Sequence, residues 1–154
     1  MTPRPELEWL VPLLAVVFVS VLGLRYWTAI PDPMATSWDA DGAPVDANHR
    51  VIDVPTGVGI TAAVAAVPVA MANRVRSTTS ARSLVTGGHV LAVLVAGQRW
   101  RTITANAGAA SWQEATTTVS ATPVFVLAIA VGVLGWWASG HRTRGPDDVA
   151  GEAS

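Results

Sequence analysis

The sequence predicts an all-α membrane protein, a four-transmembrane-helix bundle with a structured extracytoplasmic loop between helices one and two. Three observations carry this prediction. Charged residues are only 14% of the 154-residue chain and mean hydropathy is +0.40, against about 25% charged in ordinary soluble domains. The charges crowd into short stretches, leaving four long apolar runs of roughly the length a helix needs to cross hydrocarbon. Arginines favour alternate connectors, which sets an orientation because short basic loops stay cytoplasmic.

The first span covers about 9–27, WLVPLLAVVFVSVLGLRYW. Trp9 and Trp27 lie about 27 Å apart along a helix, close to the hydrocarbon thickness, so both rings reach an interface. A cleaved signal peptide would need a basic start and small residues at the cleavage point. Here Glu6 and Glu8 outweigh Arg4, and Tyr26 and Trp27 are bulky. The outer loop, 28–54, is polar and turn-rich, with Asp32, Asp39, Asp41, Asp46, Asp53, His49 and Arg50. Pro55 opens the second span, 55–73, in its first turn. Pro68 is expected to kink it, and Ala62, Ala66 and Ala70 form a small-residue face.

Residues 74–83, RVRSTTSARS, read as a basic loop. The third span, about 84–105, is purely apolar or small only to Gly97. It therefore either draws Arg99 and Arg101 into the helix or is re-entrant, and the spanning form is favoured. Gly88, Ala92 and Ala96 give it a small-residue face. The fourth span, 119–138, has Pro123 in its first turn and closes on Trp136 and Trp137. These four spans make one membrane domain, 1–138, and residues 139–154 read as a disordered cytoplasmic tail. Arg4, Arg74, Arg76, Arg82, Arg142 and Arg144 then share the inner side with both termini. Arg99 and Arg101 are the discordant pair.

All ten basic residues are arginine, which together with abundant Ala, Val and Thr points to a high-GC bacterial genome and thus to a bacterial plasma membrane. No cysteine is present, which excludes disulfides, thiolate metal sites and cysteine nucleophiles. The net charge of -1 gives no basic surface for nucleic acid. Hydrolase signatures, zinc-protease helices and phosphate-binding loops are missing from the sequence. No catalytic residue, cofactor or metal is therefore expected. The loop aspartates could in principle hold a hard cation, but they lack EF-hand spacing and read as turn formers.

Two sets of residues carry the functional expectations. Pro31, Asp32, Trp38, Gly42, Pro44 and Asp46 make a stiff loop motif, in which Asp41-Gly42 marks a turn and Trp38 packs the loop on the bundle or dips into the interface. Arg99, Arg101 and His89 are the candidate intramembrane polar contacts. Arg99 and Arg101, two positions apart, point in different directions. One of them is expected to pair with Asp32 or Asp53 and lock the loop, the alternative being that both snorkel at the interface. His89, a lone histidine near the start of the third span, reads as a simple hydrogen-bonded side chain.

The loop also resembles the domain-of-unknown-function 1648 family of small bacterial membrane proteins, a domain that SdpI-type immunity and signalling proteins contain. The resemblance rests on Ile30-Pro31, Thr36-Ser37-Trp38, Gly42, Pro44 and Asp46, with Asn106-Ala107-Gly108 after the third helix, and it covers roughly residues 10–72. Ser37 stands where that family has His, so no role of that His carries over, and Val45 separates Pro44 from Asp46. The resemblance implies a non-enzymatic module of envelope sensing, immunity or signalling. Its partners would be the lipid bilayer and a membrane or cytoplasmic protein or a second copy of itself. A subunit of a small-solute transporter or channel is the alternative.

Overall fold

The structure, a computed structural model, describes residues 8–75, 78–117 and 120–140. Four α-helices account for most of them: α1 (Leu10–Tyr26), α2 (Arg50–Ala72), α3 (Thr78–Asn106) and α4 (Thr122–Gly140). The expected tail beyond Gly140 lies outside the described residues, as do Arg4, Arg76 and Val119.

The chain is mostly helical rather than all-helical. Between α1 and α2 it forms an antiparallel hairpin of β1 (Met34–Trp38) and β2 (Pro44–Asn48). Trp38 faces Pro44 and Met34 faces Asn48, with a register irregularity around Thr36. Asp39 organises the turn. Its Oδ1 accepts the backbone N–H groups of Asp41 and Ala43 at 3.0 and 2.8 Å, and Gly42 supplies the positive φ of 83° that closes it.

Three helix starts differ by three positions or more from those read in the sequence. α2 begins at Arg50, not Pro55, because Asp32 reaches its first N–H from the preceding loop. Pro55 lies one turn inside and costs only the bond its missing N–H would have made to Val51. α3 begins at Thr78, not residue 84, so most of the expected basic loop is helix. There Ser83 Oγ donates to Thr79 O at 3.0 Å, absorbing a hydroxyl that otherwise favours a turn. α4 begins at Thr122, where Pro123 needs no amide partner.

Close approaches show that successive helices run antiparallel. On α2 and α3, Gly57 lies by Arg99 and Pro68 by Gly88; on α3 and α4, Val90 lies by Gly132 and Gly97 by Val124. α3 is the hub, packed on α1, α2 and α4, while α1 also packs on α2. Ala15, Val19, Ala65, Ala92 and Ala96 fill the centre. α2 turns Gly57, Thr61, Ala65, Val69 and Ala72 inward, a neighbouring stripe to the expected Ala62, Ala66 and Ala70. Small side chains let the backbones approach: a Cβ on Gly23 would lie 2.7 Å from Val54 Cγ1, and one on Gly88 2.9 Å from Pro68 Cβ.

Outward, the helices are apolar. Leu13, Leu14, Val21 and Leu24 of α1, Ile60, Val67 and Met71 of α2, Leu91 of α3, and Phe125, Ile129, Val133 and Leu134 of α4 are all exposed. Two helices, α2 and α3, are long and apolar enough to cross a membrane, and α1 and α4 are shorter apolar helices.

Candidate functional site

The C-terminal ends of α1 and α3 and the N-terminal ends of α2 and α4 meet at one pole, and the hairpin caps it. Helix ends leave backbone groups without intrahelical partners, and here side chains from other elements satisfy several of them. Arg50 Nη1 donates to the carbonyls of Trp27 and Ile30, both at 2.8 Å, just beyond α1. Its guanidinium lies 5.5 Å from the Trp27 ring centroid, a cation–π contact. Arg50 Nε is buried without a hydrogen-bond partner.

Asp32 Oδ1 accepts the Arg50 backbone N–H and the His49 ring N–H, each at 3.2 Å, and so puts a carboxylate at the N-terminus of α2. Desolvation pushes the Asp32 carboxyl up. The Arg50 N–H, the His49 hydrogen bond and the charges of both residues outweigh it and hold the group below its ordinary value.

Asn106, fully buried at the end of α3, grips the hairpin. Its Oδ1 accepts Ala35 N–H at 2.7 Å, and its Nδ2 donates to Ala35 O and to Thr102 O, both at 2.8 Å. The amide thus pairs with β1 as a neighbouring strand would. Trp38 Nε1 donates to Ala115 O at 3.0 Å, tying the hairpin to the connector that holds the 3-10 turn Trp112–Glu114. Gly108, at φ 85°, donates its N–H to Ala29 O at 2.8 Å. Beneath the cap, Ile30, Met34, Val54 and Ile103 close an apolar cluster against Leu22, Tyr26 and Trp27.

The two arginines of α3 part company. Arg99 Nη1 donates to Asp53 Oδ2 at 2.8 Å, with side chains only 21% and 13% exposed. The guanidinium lies over Gly57, where an added Cβ would sit 2.6 Å from Arg99 Nε. Arg101 turns to the connector side, donating to Gln98 Oε1 at 3.2 Å and Thr117 Oγ1 at 3.3 Å. A cavity of about 330 Å³ opens beside the ion pair, lined by Thr36, Asp53, Ile60, Val95, Gln98, Arg99 and Thr102. A second cavity of about 300 Å³, wholly apolar in character, lies between α1, α3 and α4 against Phe18, Val93, Trp100 and Leu127.

The remaining residues of the loop motif take their places along the hairpin and its approach. Pro31 is part of the bend that carries the chain from α1 into β1, Gly42 makes the turn, and Pro44 stands opposite Trp38. Asp46 is exposed and accepts the Ala47 N–H at 2.8 Å. Among the described residues no three His, Asp or Glu side chains converge as metal ligands. His89 sits toward the opposite pole, largely buried, where its Nε2 donates to Glu8 O at 2.9 Å. At that pole Arg82 lies 4.6 Å from the Trp136 ring centroid and donates to Trp136 O at 2.9 Å.

Sequence reasoning gave no role to Arg50 or Gly57, placed Asp39 only among the turn-forming aspartates, and named Asn106 only within the family resemblance. A signal existed only for Asp39, whose spacing before Asp41-Gly42-Ala43 is that of an Asx turn. Compared with protein-family models, curated proteins and solved structures, the chain matches none.

Proposed function

We propose that the chain is a four-span integral membrane protein of the bacterial plasma membrane, with both termini cytoplasmic. In this reading it acts without catalysis, as an envelope sensing, immunity or signalling module whose hairpin cap meets the partner. The apolar exterior of the helices carries the reading. Soluble monomers seldom leave apolar patches beyond a few hundred Å², whereas here exposed Leu, Val, Ile and Phe cover α1 and α4 along their length. Arg82 and Arg99 bound this zone on α3, about 25 Å apart in helical rise, with Trp136 near one level and Trp100 near the other. That spacing and those residue types suit a bilayer with aromatic and arginine anchors at its two interfaces.

An anchored cap suits a docking role. Asn106, Trp38, Arg50 and Asp32 tie it to α3, to the connector that follows α3 and to α2, and Val45, Asp46 and Asn48 of β2 remain exposed on it. Transport through a single copy finds less support, because Ala15, Val19, Ala65, Ala92 and Ala96 fill the centre of the helices. The resemblance to the domain-of-unknown-function 1648 family supports the sensing or immunity reading. Reporters fused after Ala110 test the topology: activity outside the cytoplasm is expected, and a cytoplasmic signal overturns it. A deletion strain tests the role: it should lose resistance to a peptide toxin or change transcription of adjacent genes. Unaltered resistance and transcription overturn that role.

A further inference from the structure

The Arg99–Asp53 pair does more than join two helices, because it lines a cavity. Polar groups crowd one part of its wall, from Thr36, Asp53, Gln98, Arg99 and Thr102, and Ile60 and Val95 make the rest apolar. The lining comes from α2, α3 and β1, not from α1 or α4. Ile60 is 42% exposed. Resting on the membrane reading above, the cavity lies at the level of one interface, with its charged rim under the hairpin and its apolar part toward the hydrocarbon.

We propose that this cavity is a site for a zwitterionic membrane lipid, whose headgroup phosphate meets Arg99 and whose ammonium meets Asp53. The charges select this class. An anionic headgroup would find its cation already matched by a carboxylate, and a simple ammonium would find its acid matched by an arginine. A headgroup with both signs satisfies both at once. The chemistry has spare capacity for it: the ion pair uses one guanidinium nitrogen and one carboxylate oxygen, while a guanidinium has five N–H donors and a carboxylate a second oxygen. Arginine's planar fork suits a phosphate. Gly57 lets the guanidinium lie flat on α2, leaving its outer edge for the ligand. Ile60 and Val95 then meet the start of an acyl chain.

The test offers the full chain, purified in mild detergent, an equimolar mixture of dioleoyl phosphatidylethanolamine and dioleoyl phosphatidylglycerol, and counts bound lipid by native mass spectrometry. The ethanolamine lipid should be retained over the glycerol lipid by about tenfold, the worth of one charge-assisted contact. Asp53→Asn should erase that preference while still binding lipid, and Arg99→Gln should lower retention of both. Ile60→Trp touches neither charge and fills the cavity, so it should lower retention of both with helicity unchanged, which keeps the test informative if the charge variants misfold. Equal retention of the two lipids by the parent chain, or a preference that survives Asp53→Asn and Ile60→Trp, overturns the lipid site. A chain that fractionates away from membranes sinks the membrane reading itself, which separates the two failures.

Discussion

Asn106 carries more of the cap than its size suggests. Its amide satisfies both backbone groups of Ala35 and the Thr102 carbonyl in a fully buried place. Asn106→Ala should therefore strand these groups and cost about 3 kcal/mol, read as a lower unfolding midpoint with faster hydrogen exchange at Ala35. Asn106→Leu, which keeps the branched shape but is bulkier, should lose at least as much, since added apolar volume replaces none of the lost hydrogen bonds. Asp32 acts on the same joint through charge. Its folded value lies below its ordinary one, so the stability it contributes is fully present above about pH 4 and is lost as pH falls through the lower folded value. Acidification below about pH 4 should loosen the joint between the hairpin and α2, and Asp32→Asn should remove that acid-dependent step from a pH series of unfolding midpoints. Neither role is legible locally. Asp32 caps a helix from 18 positions away and Asn106 binds a strand 71 positions away, and no periodicity reports such distances.

Between elements, legibility follows the length of the uniform pattern. α1 and α4 have no charge or turn cluster in their interiors, and their bounds fall within three positions of those read from the sequence. The hairpin was hidden because Met-Ala-Thr-Ser-Trp and Pro-Val-Asp-Ala-Asn are short and alternate poorly. The start of α3 was hidden because Thr, Ser and Arg suit a loop and a helix about equally, and Arg82 is drawn into helix by Trp136 on α4. That a charge on α3 would find an acid is readable from the cost of burying it. That Arg99 is the one follows from facing Gly57, the only side-chain size that leaves room for a guanidinium against α2. Gly57→Ala should push Arg99 off Asp53 without altering any charge. In a cycle with Asp53→Asn the two changes should be less than additive by about 1–2 kcal/mol; full additivity would mean that Gly57 does not position the pair.

At the scale of the whole molecule, the distribution of apolar side chains reads differently in water and in lipid, and one substitution separates the two. Ile129 lies near the middle of α4 and is 66% exposed. On a water-facing surface, arginine there would change stability by about 0.5 kcal/mol or less. In the middle of a bilayer the same arginine costs about 3 kcal/mol, because snorkelling from mid-helix draws water and headgroups inward. Ile129→Arg should therefore sharply lower the fraction of chain that resists carbonate extraction from membranes. Val45→Arg, at a comparably exposed position on the hairpin, should leave that fraction unchanged. Equal behaviour of the two variants would place the outer face of α4 in water. The contrast matters because the small-residue centre holds few large side chains: Ala65 and Ala92 are fully buried while Leu24 is 77% exposed. This inversion of the soluble pattern, with small residues inside and large apolar ones outside, is what a bilayer allows, since there the solvent itself covers the large side chains and close backbone packing holds the helices together.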